Sequence, residues 1–245
     1  MEQNPEVLGP ISALSDGVRR GIYLFIRRAG RAVSREEVGK EVGISAKLAA
    51  FHLERLLEHG LLKSHYARPP DRSGPGAGRS AKYYEPSEIE VELSIPPRRY
   101  DLLGELLVET VTQQLPGESA RITANRVASE RGIALGQEAK HELRKGRMGP
   151  ERALAIAEGV LKDHGYEPHR PSSGEVRLKN CPFHRLATQN PDLVCTMNQS
   201  FIDGLVRGLE NDSVEVALEP SPPECCITLR NKRQQKKPLS DTPAN

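Results

Sequence analysis

The amino-acid sequence predicts an α+β protein. Three observations carry this prediction: helix-period apolar residues in the first third, two Gly/Pro-bounded strand segments directly after them, and strand patterns that return near the C-terminus. Charged residues make up 28% of the chain, which favours a helix-rich protein over a large β-sandwich. No apolar run approaches the roughly 18 to 20 residues of a membrane span, and the N-terminus lacks the pattern of a signal peptide. We therefore expect a cytoplasmic protein without a membrane partner.

The first third has the order helix, short helix, Gly-containing turn, helix. The stretch LSDGVRRGIYLFIRRAG predicts a helix capped by Ser15, and Ser34 with Glu37 has the spacing of a capping box that opens a short second helix. The stretch GISAKLAAFHLERLLEHGLL predicts a third helix with Ser45 as its N-cap. This order is typical of a helix-turn-helix. The residues of the third helix expected to face the core are Leu48, Leu53 and Leu56.

A basic hairpin is predicted after the third helix. LLKSHYARPP and AKYYEPS have strand composition, and DRSGPGAGRS between them has the composition of a turn. The basic residues placed to reach phosphates or a minor groove are Arg68, Arg72, Arg79 and Lys82. Helices and hairpin together predict a winged helix-turn-helix over residues 12–92, preceded by an N-terminal arm of residues 1–11. The positive charge excess of the chain lies in this part.

The third helix would then be the reading helix of a DNA-binding domain, and its N-terminal part would face base edges. Lys47 is expected to contact guanine or a phosphate, and Ser45 and His52 to contact a phosphate or a base edge. His52 has an equal interpretation as a packed helix residue. The full set of candidate contacts on this helix is Ser45, Ala46, Lys47, Ala49, Ala50 and His52.

Residues 93–148 are predicted to be a helical dimerisation linker. The stretch RRYDLLGELLVETVTQQL carries an apolar stripe that must be buried, either in the core of the protein or against a second copy. The stripe consists of Tyr100, Leu103, Leu106, Leu107 and Val111.

Residues 149–230 are predicted to form a small α+β domain, and the polar residues 231–245 a disordered tail. The domain should contain a helix, a hairpin with its turn at PSSG, a helix after Pro191, and two further strands.

All four cysteines of the chain fall in this last domain, at Cys181, Cys195, Cys225 and Cys226. In a reducing compartment such clustering favours metal or redox chemistry over disulfides, although buried inert thiols or a metal-free thiol switch are alternatives. Neighbours in a regular strand point to opposite faces, so one of the adjacent pair should join Cys181 and Cys195, and Cys225 is favoured. His184 or the second cysteine of the pair is a candidate fourth ligand. An iron-sulfur cluster and a Cys3His zinc site both fit this donor set.

The N-terminal stretches GISAKLAAFHLERLLEHGLL and GRSAKYYEPS resemble the winged-helix domain of ArsR-like transcriptional regulators. CPFHRLATQNPDLVCTMNQSFIDGLVRGL and PPECCITL resemble the SufR-type branch of that group. The resemblance implies a homodimer that represses transcription from double-stranded DNA, and a cysteine-ligated iron-sulfur cluster that modulates operator binding. One alternative is a regulator with structural zinc that responds to a small ligand. A thiol-dependent enzyme is disfavoured, because no catalytic constellation stands out in the sequence.

Overall fold

The computed structural model describes residues 5–68, 80–142, 148–220 and 224–232. The chain divides into two compact units, Met1–Leu93 and Ser94–Asn245. Each unit combines helices with an antiparallel sheet, so the predicted α+β class is confirmed. Among the helices in these ranges, none has the length and hydropathy needed to cross a bilayer.

The first unit alternates helices and short strands. Residues 5–11, which were predicted as an arm, form the first turns of a helix instead. The elements are α1 (Pro5–Ser15), α2 (Gly17–Ala29), β1 (Val33–Ser34), α3 (Arg35–Val42), α4 (Ala46–Glu58), β2 (Leu62–Ala67) and β3 (Ala81–Pro86).

Capping side chains set where the helices of the first unit begin. Ser34 and Glu37 form the predicted capping box of α3, and the Ser45 hydroxyl accepts a hydrogen bond from an amide in the first turn of α4. Asp16, rather than the predicted Ser15, caps α2 through its carboxylate. The sequence signals therefore locate α3 and α4, the two helices joined by a tight turn.

The predicted hairpin is present as β2 and β3, which pair in antiparallel fashion from Leu62 opposite Pro86 to Ala67 opposite Ala81. Strand β1 pairs with the other edge of β3, so the sheet order is β1-β3-β2. The hairpin tip, residues 69–79, lies outside the described residues.

The second unit places a four-stranded antiparallel sheet, in the order β4-β5-β7-β6, beside a set of helices. The predicted hairpin, the helix that begins at Pro191 and the two later strands are present, and HRLATQ forms a short helix. The elements are α5 (Tyr100–Thr112), α6 (Ala120–Glu142), α7 (Pro150–Asp163), β4 (Pro168–Ser172), β5 (Glu175–Leu178), α8 (His184–Gln189), α9 (Pro191–Gly208), β6 (Val214–Leu218) and β7 (Ile227–Asn231).

Helices α6 and α9 pack with their backbones in direct contact. A Cβ atom on Gly132 would lie 2.0 Å from the carbonyl oxygen of Phe201, and one on Gly204 would lie 2.2 Å from that of Ser129. Such approach is possible only because neither glycine has a side chain. The core is continuous from α5 through α6 to β7. The predicted boundary at residue 148, between a helical linker and a separate α+β domain, is therefore wrong.

Candidate functional site

The four cysteines lie on three parts of the second unit. Cys181 follows β5 in the turn before α8, Cys195 lies near the start of α9, and Cys225 with Cys226 directly precedes β7. Cys181 and Cys225 are buried, whereas Cys195 and Cys226 are partly exposed. All four are free thiols.

The structure brings all four sulfur atoms into a chain of hydrogen-bonding contacts. The Cys225 thiol contacts both Cys181 and Cys226, and the Cys195 thiol contacts Cys226. The predicted convergence of Cys181 and Cys195 with the adjacent pair is therefore present in the fold.

A regular strand would bring only one of the adjacent cysteines to the others, because successive side chains point to opposite faces, and the second cysteine was then an alternative to His184 as the fourth ligand. In the structure both Cys225 and Cys226 interact with the other thiols. Strand β7 begins only at Ile227, and the chain bends at Cys226. Hydrogen bonds from the Cys225 amide to the Leu178 carbonyl and from the Glu219 amide to the Cys226 carbonyl hold the bend, at 2.8 and 2.6 Å.

The contacts divide the thiols into proton donors and acceptors. Hydrogen bonds from Cys195 and Cys225 hold the pKa of Cys226 well below its usual range, and a hydrogen bond from Cys225 lowers the pKa of Cys181. The pKa values of Cys195 and Cys225 are raised, because their thiols donate these hydrogen bonds and because burial disfavours their thiolates. The sulfurs of Cys226 and Cys181 are thus the preferred sites of negative charge among the four.

Two buried polar residues, Asn198 and Tyr166, form hydrogen bonds that lead to the thiol of Cys225. The Asn198 amide donates to Cys225 Sγ at 3.6 Å, and the Tyr166 hydroxyl donates to Asn198 Oδ1 at 2.5 Å. Burial first, and then the nearby thiols, raise the pKa of Tyr166 well above its usual value. The phenol therefore stays a neutral donor that orients Asn198 toward the sulfur.

The donor set suits a soft metal centre, since four cysteine sulfurs are the usual ligands of iron-sulfur clusters and of structural zinc. Across the described ranges, no group of three or more His, Cys, Asp or Glu side chains is arranged to hold a metal ion. Binding of a centre would therefore require the thiols to lose protons and the sulfurs to rearrange around it.

His184 does not belong to the thiol cluster. It is exposed at the first residue of α8, and the hydrogen-bonding contacts of the four thiols do not include it. Its prediction as the fourth ligand is not supported, because the second cysteine of the adjacent pair supplies the fourth sulfur.

The candidate contacts on α4 divide between two faces. Ser45 and Lys47 are exposed, and Ala46 and Ala50 are half-buried. Ala49 is fully buried, and His52 is only 7% exposed with its Nδ1 atom lacking a hydrogen-bond partner. The prediction that Ala49 faces outward is therefore wrong, and of the two interpretations of His52 the structure supports the packed helix residue.

Two apolar residues that the sequence interpretation missed occupy the outer face of α4. Leu48 is 43% exposed and Phe51 is 54% exposed, although Leu48 was expected in the core. The Arg55 guanidinium lies 5.9 Å from the Phe51 ring centroid. The signal was the series Ala49, His52, Leu53 and Leu56, whose spacing marks the buried face once alanine is counted as apolar.

The hairpin residues differ in availability. Arg68 is exposed beside the hairpin tip, whereas the predicted wing residues Arg72 and Arg79 lie outside the described residues. Lys82 is already paired within the protein. Its ammonium contacts Glu54 Oε1 on α4 at 2.6 Å and lies 5.4 Å from the Tyr84 ring centroid. Lys82 therefore joins β3 to α4 and is not free for a phosphate.

Helix α5 carries a second apolar face in addition to the one it buries. The stripe residues Leu103 and Leu106 enter the core, but Val108 and the stripe residue Val111 are exposed, Val111 by 77%. Leu115, just after the helix, is also exposed. An exposed apolar strip of this kind on a helix is typical of a contact surface.

No family model and no curated protein matches this sequence.

Proposed function

We propose that this chain is a DNA-binding transcriptional repressor whose C-terminal cysteines hold an iron-sulfur cluster that modulates operator binding. The observation that carries the proposal is the meeting of four free thiols from three separate parts of the second unit. The first unit, with two helices joined by a tight turn and followed by a hairpin, supports the DNA-binding half of the proposal.

On the DNA side, α4 enters the major groove with its N-terminal half forward. The first turn of α4 carries no acidic residue, and Lys47 is exposed there, so charge favours approach to phosphates and to guanine. Leu48 and Phe51 lie on the same outer face and fit the methyl groups of thymine. Arg68, with Arg72 and Arg79 of the tip, is proposed to contact the flanking backbone.

On the thiol side, Cys181, Cys195, Cys225 and Cys226 are the residues that would hold the cluster. Gain or loss of the cluster would change the interactions among these residues, and a sensor requires such a difference between its two states. These four cysteines tie the turn after β5, helix α9 and the segment before β7 to one another. The same donor set accepts zinc, which would make the site structural.

A second copy of the chain is proposed to cover the exposed face of α5. A symmetric dimer would present two copies of α4 to a pseudo-palindromic site with half-sites about one helical turn apart, or a multiple of it.

The metal proposal is tested by anaerobic purification, an absorption spectrum and metal analysis. We expect iron, sulfide and visible absorption, and we expect serine at Cys181, Cys195, Cys225 or Cys226 to reduce all three. Each variant should retain the far-ultraviolet circular dichroism of the wild type. A colourless protein with stoichiometric zinc would replace the cluster by the zinc alternative.

The DNA proposal is tested by selecting duplexes from a random-sequence library with purified protein. We expect an enriched pseudo-palindrome, and we expect Lys47→Ala to change its sequence or lower its affinity. Ser15→Ala, at an exposed position outside α4, serves as the control. Failure to enrich any sequence would contradict the DNA-binding half of the proposal.

A further inference from the structure

Asn180, the residue before Cys181, is a buried amide with all of its polar atoms in use. It is 5% exposed. Its Nδ2 donates to the Pro97 carbonyl at 2.9 Å and to the Gly165 carbonyl at 2.7 Å, and its Oδ1 accepts from Arg98 Nη1 at 2.5 Å. A buried polar network that is fully paired fixes one local geometry, because breaking any bond leaves an unpaired group.

The same two segments are joined by further hydrogen bonds. Arg98 Nη1 also donates to the Cys181 carbonyl at 2.7 Å, and the Arg99 amide donates to the Pro182 carbonyl at 3.2 Å. Residues 97–99 are thus bonded to residues 180–182 through a guanidinium, a side-chain amide and the backbone.

Gly165 completes the contact from the other side. Its φ of +83° lies in the left-handed region, and a Cβ atom there would lie 3.2 Å from Arg99 Cγ and 3.4 Å from Pro97 Cβ. The position therefore favours glycine for its backbone conformation, and the packing leaves little room for a Cβ atom.

The two segments have different places in the chain. Residues 97–99 lie between the end of the first unit at Leu93 and the start of α5 at Tyr100. Residues 180–182 contain Cys181, whose thiol contacts Cys225 in the cluster. The connection to the first unit is consequently bonded to the backbone of a cluster cysteine.

We infer that Asn180 and Arg98 are positioning residues that hold the Cys181 turn and link its movement to the segment leading into α5. A ligand that draws the Cys181 sulfur away from Cys225 by moving the turn displaces the Cys181 carbonyl and strains its hydrogen bond to Arg98. Because Arg98 and Pro97 are both bonded to Asn180, the displacement is shared by the connecting segment. The coupling to DNA affinity rests on the proposed function, whereas the positioning of Cys181 does not.

The positioning role is tested first in the metal-free protein, without DNA. Iodoacetamide alkylation read by peptide mass spectrometry gives the reaction rate of each cysteine. Arg98→Met releases the Cys181 carbonyl but also removes a positive charge that lowers the pKa of Cys181, so rates are compared at the high-pH plateau, where the thiolate fraction no longer differs. At that plateau Cys181 should react at least about tenfold faster than in the wild type. Cys195 should react at the wild-type rate.

Arg170→Met is the matched control, because Arg170 bonds to Glu158 and Glu151 in the same unit and makes none of the contacts of the Cys181 turn. Arg98→Lys, which keeps one charged donor, should give an intermediate Cys181 rate if Arg98→Met unfolds the protein. Equal Cys181 rates in the wild type and in both Arg98 variants would overturn the positioning role. A uniform increase at all four cysteines would also overturn it, since that would mean general loosening.

The linking role is tested by the ratio of duplex affinities between cluster-loaded and metal-free protein. Arg98→Met should keep the visible spectrum while its ratio falls to about one, and Arg170→Met should keep the wild-type ratio. A wild-type ratio in Arg98→Met would overturn the link while leaving the proposed function intact. A ratio of one in the wild type would contradict both the proposed sensing and the link, and the alkylation rates would still decide the positioning role.

Discussion

The ammonium of Lys82 on β3 lies 2.6 Å from Glu54 Oε1 on α4. The Tyr84 hydroxyl donates to the same carboxylate oxygen at 3.2 Å, so one acidic residue of α4 receives two side chains of the hairpin. Burial, followed by the Glu54 charge, raises the pKa of Tyr84 to about 12, which keeps the phenol a neutral donor. The hairpin is thereby fixed against the proposed reading helix.

Replacing Lys82 by methionine should therefore affect stability more than the electrostatics of DNA binding. Glu54 is half exposed, so we expect a loss of at most about 1 kcal/mol in the free energy of unfolding. The salt dependence of duplex binding should stay unchanged, whereas Lys47→Ala should lower its slope by up to about 0.9. Fluorescence anisotropy of duplex binding at several salt concentrations measures the slopes of both variants. A reduced slope for Lys82→Met would mean that Lys82 leaves Glu54 to contact a phosphate.

Phe51 should contribute to sequence preference through thymine methyl groups. Substituting deoxyuridine for thymidine in the selected duplex should weaken wild-type binding about fourfold for each contacted methyl, which corresponds to about 0.8 kcal/mol. Phe51→Ala should bind both duplexes equally and more weakly than the wild type. Leu24→Ala, an exposed apolar residue of α2, is the control. If Phe51→Ala still discriminates thymidine from deoxyuridine at the wild-type ratio, Phe51 does not read the methyl.

Two glycine substitutions should have opposite effects on stability, because only one of them lies at the close contact of α6 with α9. Gly132→Ala places a Cβ atom against the Phe201 carbonyl and should destabilise the protein by about 1 to 3 kcal/mol or more. Gly159→Ala lies within α7, where nothing is within 4 Å of the added Cβ atom, and should stabilise it by up to about 1 kcal/mol. Urea unfolding measures both, and equal effects would contradict the packing of these helices.

The exposed face of α5 predicts the oligomeric state. Val111→Glu should convert a dimer into a monomer of 27.0 kDa, because a charge in an apolar contact is costly to bury. Leu24→Glu introduces the same charge on an exposed apolar residue of α2 and should leave the dimer unchanged. Light scattering on a sizing column distinguishes the two masses. A wild-type monomer, or a Val111→Glu dimer of wild-type affinity, would exclude α5 as the interface.

Local signals predicted the elements of the first unit better than the facing of their residues. Ser34, Glu37 and Ser45 mark helix starts because a cap depends only on residues within one turn. The burial of Ala49 depends on what packs against α4, and a small side chain gives a weak local signal for it. Leu48 was consequently placed on the wrong face.

The thiol site was predictable in its members but not in its geometry. The clustering of Cys181, Cys195 and the adjacent pair in the last third indicated a shared site, and its contacts are present in the fold. The start of β7 at Ile227, which lets both Cys225 and Cys226 join, depends on pairing with β5 and β6. The bond between Arg98 and Asn180 joins residues 82 positions apart, and no local pattern marks it.

The most direct test of the account is the affinity of the wild-type protein for its selected duplex, measured anaerobically with and without the cluster at one salt concentration. The account predicts that the two affinities differ by a coupling free energy of roughly 1 to 3 kcal/mol. It also predicts that Cys181→Ser binds the duplex like the metal-free wild type under both conditions. Equal affinities of loaded and metal-free wild type would contradict the account and leave the four thiols with a structural role alone.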